Sequence, residues 1–424
     1  MRAPTQSALA SFEMTRRFPW IRKANDPDIA GQLTPAGAED VESDLVFRLA
    51  QPGRGTRRSI DFGSVGDWNR LVQFASEENA LIALRKCLAG DAGKTIPVNV
   101  ERQVAILSLD REFRMRRLQE RLEQSVVALN RAGIEPLLLK GGALAYTVYC
   151  SFAARPMRDI DLLVPPDRAD DARSIMLQSG WQLDPELPGD RSYDAHHHLP
   201  PLRDAVSSGL RLEIHRALMA AGHPFRFTRD ELWSAARRVQ VGAGHALVMH
   251  PSHHAVHIAI HFAWGHMLNL GAWHAFRDLA ALATKGVLDW SDFARTASRW
   301  GASTCCYWTL RLGRELSALP VPDGVLHQLR PRLPELVRRS LTRHFVRELA
   351  RNDAGCPSAR LNRALWTMAM QPERCGHGAV RPWLVSLELL SAFHEKTRLA
   401  EDGSPESALL QLRRTGRYLS EIIA

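Results

Sequence analysis

From Trp68 onward the apolar residues recur at helical spacing: Leu71, Phe74, Ala75, Leu81 and Leu84 share a face, and Gly90 is the stop. A longer helix is predicted over Arg102 to Arg131, where Leu107, Leu118, Leu122, Val126 and Leu129 form an apolar stripe. Gly133 ends it, because glycine takes the left-handed cap conformation at little cost. The period then switches. Leu137-Leu138-Leu139 reads as a short buried strand, broken at Gly141-Gly142 and followed by a helix over Ala143 to Tyr149. Next, Ile160, Leu162 and Val164 alternate with Asp159, Asp161 and Leu163 in a strand that Pro165-Pro166 stops. Asp167 is placed to cap a helix over Arg168 to Gln178, which Gly180 ends. Short strands are expected near 181–183 and 197–202. A clearer one follows, with Leu210, Leu212 and Ile214 on one face and Arg211, Glu213 and His215 on the other.

From about Asp230 nearly everything reads as helix, and residues 1–65, which carry no sustained period, read as a partly disordered or loosely docked extension. The expected organisation is that extension, a helical region over 66–133, a compact core over 134–218, and a helical region over 219–424. The fold class is α+β, a small mixed-sheet core flanked by N- and C-terminal helical regions.

Composition narrows the setting. The chain has 424 residues, 45% hydrophobic and 24% charged, as in an ordinary soluble globular protein. A formal net charge of +9 favours anionic partners, but the arginines are scattered, so a generally basic surface is expected over a dedicated nucleic-acid footprint. The cysteines, Cys87, Cys150, Cys305, Cys306, Cys356 and Cys375, include no C-x-x-C pair and read as buried apolar residues. Met1 to Trp20 lacks the apolar stretch of a signal peptide, and no apolar run reaches membrane-spanning length. A cytoplasmic location without membrane association is the expectation.

The polar positions carry the chemistry. Residues i and i+2 of a strand project to one face, so Asp159 and Asp161 aim their carboxylates the same way and repel unless a cation sits between them. Mg2+ suits such a site because it takes oxygen ligands and keeps room for phosphate oxygens and water. A D-x-D is weak by itself. Upstream, however, a buried strand runs into Lys140-Gly141-Gly142 and a helix, where backbone N–H groups and a mobile positive charge would meet phosphate. The P-loop spacing is absent. Downstream, Glu213 offers a third carboxylate.

Taken together, LLLKGGALAYTVYCSFAARPMRDIDLLVPPDRADDA followed by LRLEIHRAL resembles the uncharacterised nucleotidyltransferase family of the DNA polymerase beta-like nucleotidyltransferase superfamily. The resemblance is strong over about 134–218, looser over 66–133 and 219–285, and absent from the first 65 residues. It implies transfer of a nucleoside monophosphate from a nucleoside triphosphate to an acceptor, with Mg2+ or Mn2+ at Asp159, Asp161 and Glu213. The turn Gly141-Gly142 with Lys140, joined by Arg155 and His215, would bind the nucleotide. The third acid is often Asp in the superfamily, so Glu213 can be a metal ligand or the base. The acceptor is open: a small molecule, a sugar, a peptide, a protein or an RNA end.

Two histidine groups stand apart. In His196-His197-His198 alternate side chains diverge, so the three cannot converge on one metal from one face, and His198 facing the site is the lesser reading. His253, His257 and His261 recur every four residues and read as one face of a helix packed against the core, with a zinc site together with Asp278 as the lesser reading. Two rival functions remain, a non-catalytic nucleotide-binding accessory protein that keeps the fold and an RNA-binding module suggested only by the charge.

Overall fold

A computed structural model describes residues 41–51, 61–89, 96–184, 193, 196–206, 209–350, 358–370 and 405–424. Most of the 1–65 extension, the stop at Gly90, Cys356 and Cys375 lie outside the described residues. The helices of the first half are α1 (Val41–Arg48), α2 (Trp68–Glu77), α3 (Leu81–Leu88) and the 34-residue α4 (Val98–Arg131). Gly133 sits at φ +71° just past α4, as its C-terminal position requires. The core follows as β1 (Leu137–Leu138), α5 (Lys140–Thr147), β2 (Asp159–Leu163), α6 (Ala169–Gln178), β3 (Trp181–Leu183), β4 (Leu202–Asp204) and β5 (Arg211–His215). Then come α7 (Arg229–Ser234), the hairpin β6 (Arg237–Val241) and β7 (Gly244–Val248), α8 (Pro251–Ile260) and α9 (Ala272–Thr284). Further helices run over Trp290–Arg299, Ser303–Ser317, Asp323–Leu329, Glu335–Ala350, Ala359–Ala369 and Pro405–Ile423.

The architecture is α+β. One mixed sheet of seven strands has the order β3-β4-β5-β2-β1-β7-β6, with parallel pairs β2–β5 and β1–β7 and the other neighbours antiparallel. Alternation along the strands divides the core in two. Leu138, Ile160, Leu162, Leu212 and Ile214 share a cluster with Leu118, Leu122, Val126 and Leu129 of α4. The opposite face puts Leu137, Leu139 and Leu163 into a second cluster with Ala255, Val256 and Ala259 of α8 and Phe276 of α9. Asp161 shares a strand face with Leu163, so the polar face of the sheet is turned toward the C-terminal helices.

Some boundaries differ from the sequence expectation. The hairpin β6–β7 falls in the stretch read as helix, and β7 pairs with β1 at Leu137↔Leu247 and Leu138↔Val248, so the sheet does not end at 218. The hairpin was hidden because β6 is a mostly exposed strand, Arg-Arg-Val-Gln-Val, and β7 buries only Gly244, Ala246 and Val248. Within the presumed extension, α1 buries Leu45, Val46 and Phe47 in the helical core. Phe47 packs edge-on to Phe74 with ring centroids 5.7 Å apart, a contact no local pattern announces. Asp167 does not cap α6; it lies in a single 3-10 turn, Pro166–Arg168, ahead of it. Cys87, Cys305 and Cys306 are buried and unbridged, whereas Cys150 is exposed.

Candidate active site

Register builds the site. β2 and β5 run parallel with Asp159 opposite Arg211, Asp161 opposite Glu213, and Leu163 opposite His215. The two carboxylates are thus lateral neighbours, and His215 stands one residue pair along on the same face. His215 Nε2 lies 2.9 Å from Asp161 Oδ1 and 3.6 Å from Glu213 Oε2. One ligand atom from each of Asp161, Glu213 and His215 falls within 4.8 Å of the others, and all three residues are buried. Asp159, half-buried at the outer end of β2, is not in that group, although its charge acts on Lys140 and Arg155.

Lys140, at the start of α5 just past β1, closes the group. Leu139 donates its N–H to the Asp161 carbonyl, which brings the end of β1 alongside β2. Lys140 itself has φ +47°, a conformation uncommon for a residue with a side chain, and its Nζ donates to Asp161 Oδ1 at 2.9 Å. Burial works against the ammonium, but Asp161, Asp159 and Glu213 outweigh it and keep Lys140 charged. Burial would likewise raise the carboxyl of Asp161; Lys140 and the hydrogen bond to His215 hold it at about 2 instead. Glu213 stays well below the usual carboxylate range against the same burial, through His215 and Lys140. Burial pulls the His215 imidazole down, and its bonds to Asp161 and Glu213 reverse this and raise it.

The Gly-Gly pair is not a separate turn. It lies in the first turn of α5, which starts at Lys140 rather than at Ala143 and ends at Thr147. The two glycines differ. A Cβ on Gly141 would stand 2.6 Å from Met157 Sδ and 3.1 Å from Arg155 Cζ, whereas one on Gly142 would meet open space. Helix packing therefore demands the first glycine, while the second leaves room beside the helix N-terminus, where N–H groups lack intrahelical partners.

Arg155 is placed otherwise than the sequence suggests. Its Nε and Nη2 donate to Asp278 Oδ1 and Oδ2 at 2.7 and 2.8 Å, and Nη1 donates to the Pro156 carbonyl. Tyr149 OH also donates to Asp278, at 2.7 Å. The Nε–Nη2 edge of the guanidinium is thus engaged by a buried carboxylate of α9. Arg155 holds the Gly141 turn against the helical region. Asp278, which carries no local signal, was legible only as part of a faint histidine pattern.

The α8 histidines divide. Four residues overshoot a helical turn by 40°, so positions 253, 257 and 261 drift around the axis. His253 faces Glu231, at 3.7 Å, and the Trp300 ring. His254 hydrogen-bonds the backbone of Lys140, while His257 and His261 lie in the field of that lysine. A π-helical turn, His261–Gly265, follows directly. His198 bridges to His215 in an antiparallel contact, and the rings of His197 and His198 approach His215 with centroids 5.1 and 5.4 Å away. The sequence reading singled out His198; His197 comes equally close because the chain bends beside β5.

The donor set fits a divalent cation: two buried carboxylates and an imidazole converge, with the Lys140 ammonium now beside Asp161. Among the described residues no helix is long and apolar enough to cross a membrane. Residues 64–318 match the family model of the uncharacterised nucleotidyltransferases, and no curated protein or solved structure matches the chain. The chain belongs to that family.

Proposed function

We propose that this nucleotidyltransferase moves a nucleoside monophosphate from a nucleoside triphosphate to an acceptor hydroxyl or amine, with Mg2+ or Mn2+ at Asp161 and Glu213 and with Asp159 at the outer edge. The observation that carries the reading is the lateral pairing of Asp161 with Glu213 beside the N-terminus of α5. Two ionised carboxylates buried side by side are costly unless cations compensate them. Lys140 and His215 fill that role in the nucleotide-free protein.

The bound cation would neutralise triphosphate oxygens and polarise the phosphoryl group under attack. Gly142 leaves space for phosphate oxygens to approach the first-turn N–H groups of α5. Lys140, charged and joined to the site by one flexible arm, is positioned to exchange Asp161 for the leaving phosphates. Arg155 and Asp278 fix the Gly141 turn, so they position and do not touch substrate. Glu213 suits the cation because it lies level with Asp161 on the neighbouring strand and converges with it. The acceptor attacks the α-phosphorus, the bond from that phosphorus to its bridging oxygen breaks, and pyrophosphate leaves, with the acceptor's proton passing to solvent water.

The test incubates the protein with each labelled triphosphate, Mg2+ or Mn2+, and a cell extract, then follows pyrophosphate and label on an acceptor. Transfer that disappears in Asp161→Asn supports the reading. Nucleotide binding without any transfer would favour the accessory protein, and RNA retention with a steep salt dependence would favour the RNA-binding module.

A further inference from the structure

We infer that His215 is a nitrogen ligand of the divalent cation and that it makes the centre select Mn2+ over Mg2+. The inference rests on the functional reading above for the presence of a cation, but its test needs no nucleotide. The carboxylate triad implied by family resemblance, Asp159, Asp161 and Glu213, is all oxygen. The set that converges is different: Asp161, Glu213 and His215 lie within 4.8 Å of one another, and Asp159 is outside the group. His215 is nearly fully buried, at 1% exposure, so its ring cannot swing out to water. Nε2 is the nitrogen turned to the acids, at 2.9 Å from Asp161 and 3.6 Å from Glu213. Carboxylates only accept, so Nε2 carries a proton in the cation-free protein and the cation takes the place of that proton; Nδ1, buried with no hydrogen-bond partner among the described residues, keeps the other.

Mg2+ prefers near-octahedral oxygen and sheds water reluctantly, and an imidazole in its shell replaces an oxygen it would keep. Mn2+ takes the same carboxylate and phosphate oxygens, and as a first-row transition ion it binds a ring nitrogen more readily than Mg2+ does. One imidazole among two carboxylates is therefore a selecting feature. A strand position two residues beyond Glu213 supplies it, because period-two alternation returns His215 to the face of the acid.

The experiment uses the full chain with Mn2+ alone and Mg2+ alone. Mn2+ binding is titrated by electron paramagnetic resonance, Mg2+ by competition, and the bound Mn2+ is probed for 14N coupling by pulsed measurements. Wild type should bind Mn2+ roughly tenfold or more tighter than Mg2+ and show 14N coupling. His215→Gln should lose the coupling and most of the preference, with Mg2+ affinity changed by less than about threefold. Should that variant fail to fold, His257→Gln serves as the second arm: coupling retained there supports the assignment to His215, and coupling lost overturns it. Absence of 14N coupling in wild type, its persistence in His215→Gln, or equal affinity for both cations also overturns it. A Mn2+ centre with coupling in a protein that transfers no nucleotide would sink the functional reading alone; transfer without coupling would sink this inference alone.

Discussion

Gly141 and Gly142 are adjacent, identical in type, and under different constraints. At Gly141 even one methyl collides with Met157, so Gly141→Ala should destabilise the fold by about 1–3 kcal/mol, read as a lower urea midpoint. Gly142→Ala should leave the midpoint near wild type, because its Cβ meets nothing. Gly142→Val, reaching further into the phosphate side, should cut nucleotide affinity measured by calorimetry without a matching stability loss. The opposite order of effects would move the phosphate cradle away from Gly142. Glu213 poses the second residue-scale question. If it ligates the cation, Glu213→Gln lowers metal-dependent nucleotide affinity and turnover together. Affinity retained with turnover lost would return Glu213 to the role of base.

Between elements, Glu78 joins the end of α2 to the start of α9 by accepting the Trp273 N–H at 3.4 Å. Burial raises its carboxyl to about 7 against that hydrogen bond and the charge of Arg158. A raised acid gives stability that is complete below its unfolded value and is lost as pH rises through about 7. Glu78→Gln keeps an acceptor for Trp273 and removes the titration. The variant should therefore gain on wild type by a few kcal/mol between about pH 4.5 and 8, measured by urea unfolding at both ends. A constant difference across that range would mean that Glu78 is solvated in the native state. The Arg155–Asp278 pair is another tie between elements, fastening the loop before β2 to α9.

For the whole molecule the buried and half-buried histidines dominate the pH response. Burial holds His197 at about 3, His254 at about 4 and His344 at about 4, and lowers His257, His261 and His274 well below the ordinary value. Such groups favour the folded state above about 6.5 and release that stability as pH falls toward their native values. They outnumber Glu78 and His215, whose raised values act with the opposite sign. The melting temperature should therefore fall between pH 7.5 and 5, and a flat profile would contradict the burial. Connectivity makes the second prediction at this scale. Without β7, β1 is left as a two-residue strand with an open edge, and the polar sheet face loses its helical cover. A fragment over 134–218 should lack native dispersion in NMR spectra, since isolated short strands are marginal.

The sequence by itself determined what depends on neighbours along the chain. Alternation put Asp161 on one face with Leu163 and Glu213 on one face with His215, and helical spacing found α2 and α4, because those periods are properties of local backbone geometry. It also supplied the glycines at the start of α5 and the family. Only the tertiary structure decided which groups meet. The β2–β5 register set Glu213 and His215 beside Asp161 and left Asp159 at the rim; a slip of two residues would keep every alternation and change every partner. Packing of α9 against the core turned Arg155 to Asp278, and packing of α8 sent His253 away from Lys140 while bringing His254 to it. The Arg155–Asp278 and Lys140–His254 pairs are separated by more than a hundred residues, where no spacing rule reaches, and burial makes each hold only when its distant partner is in place.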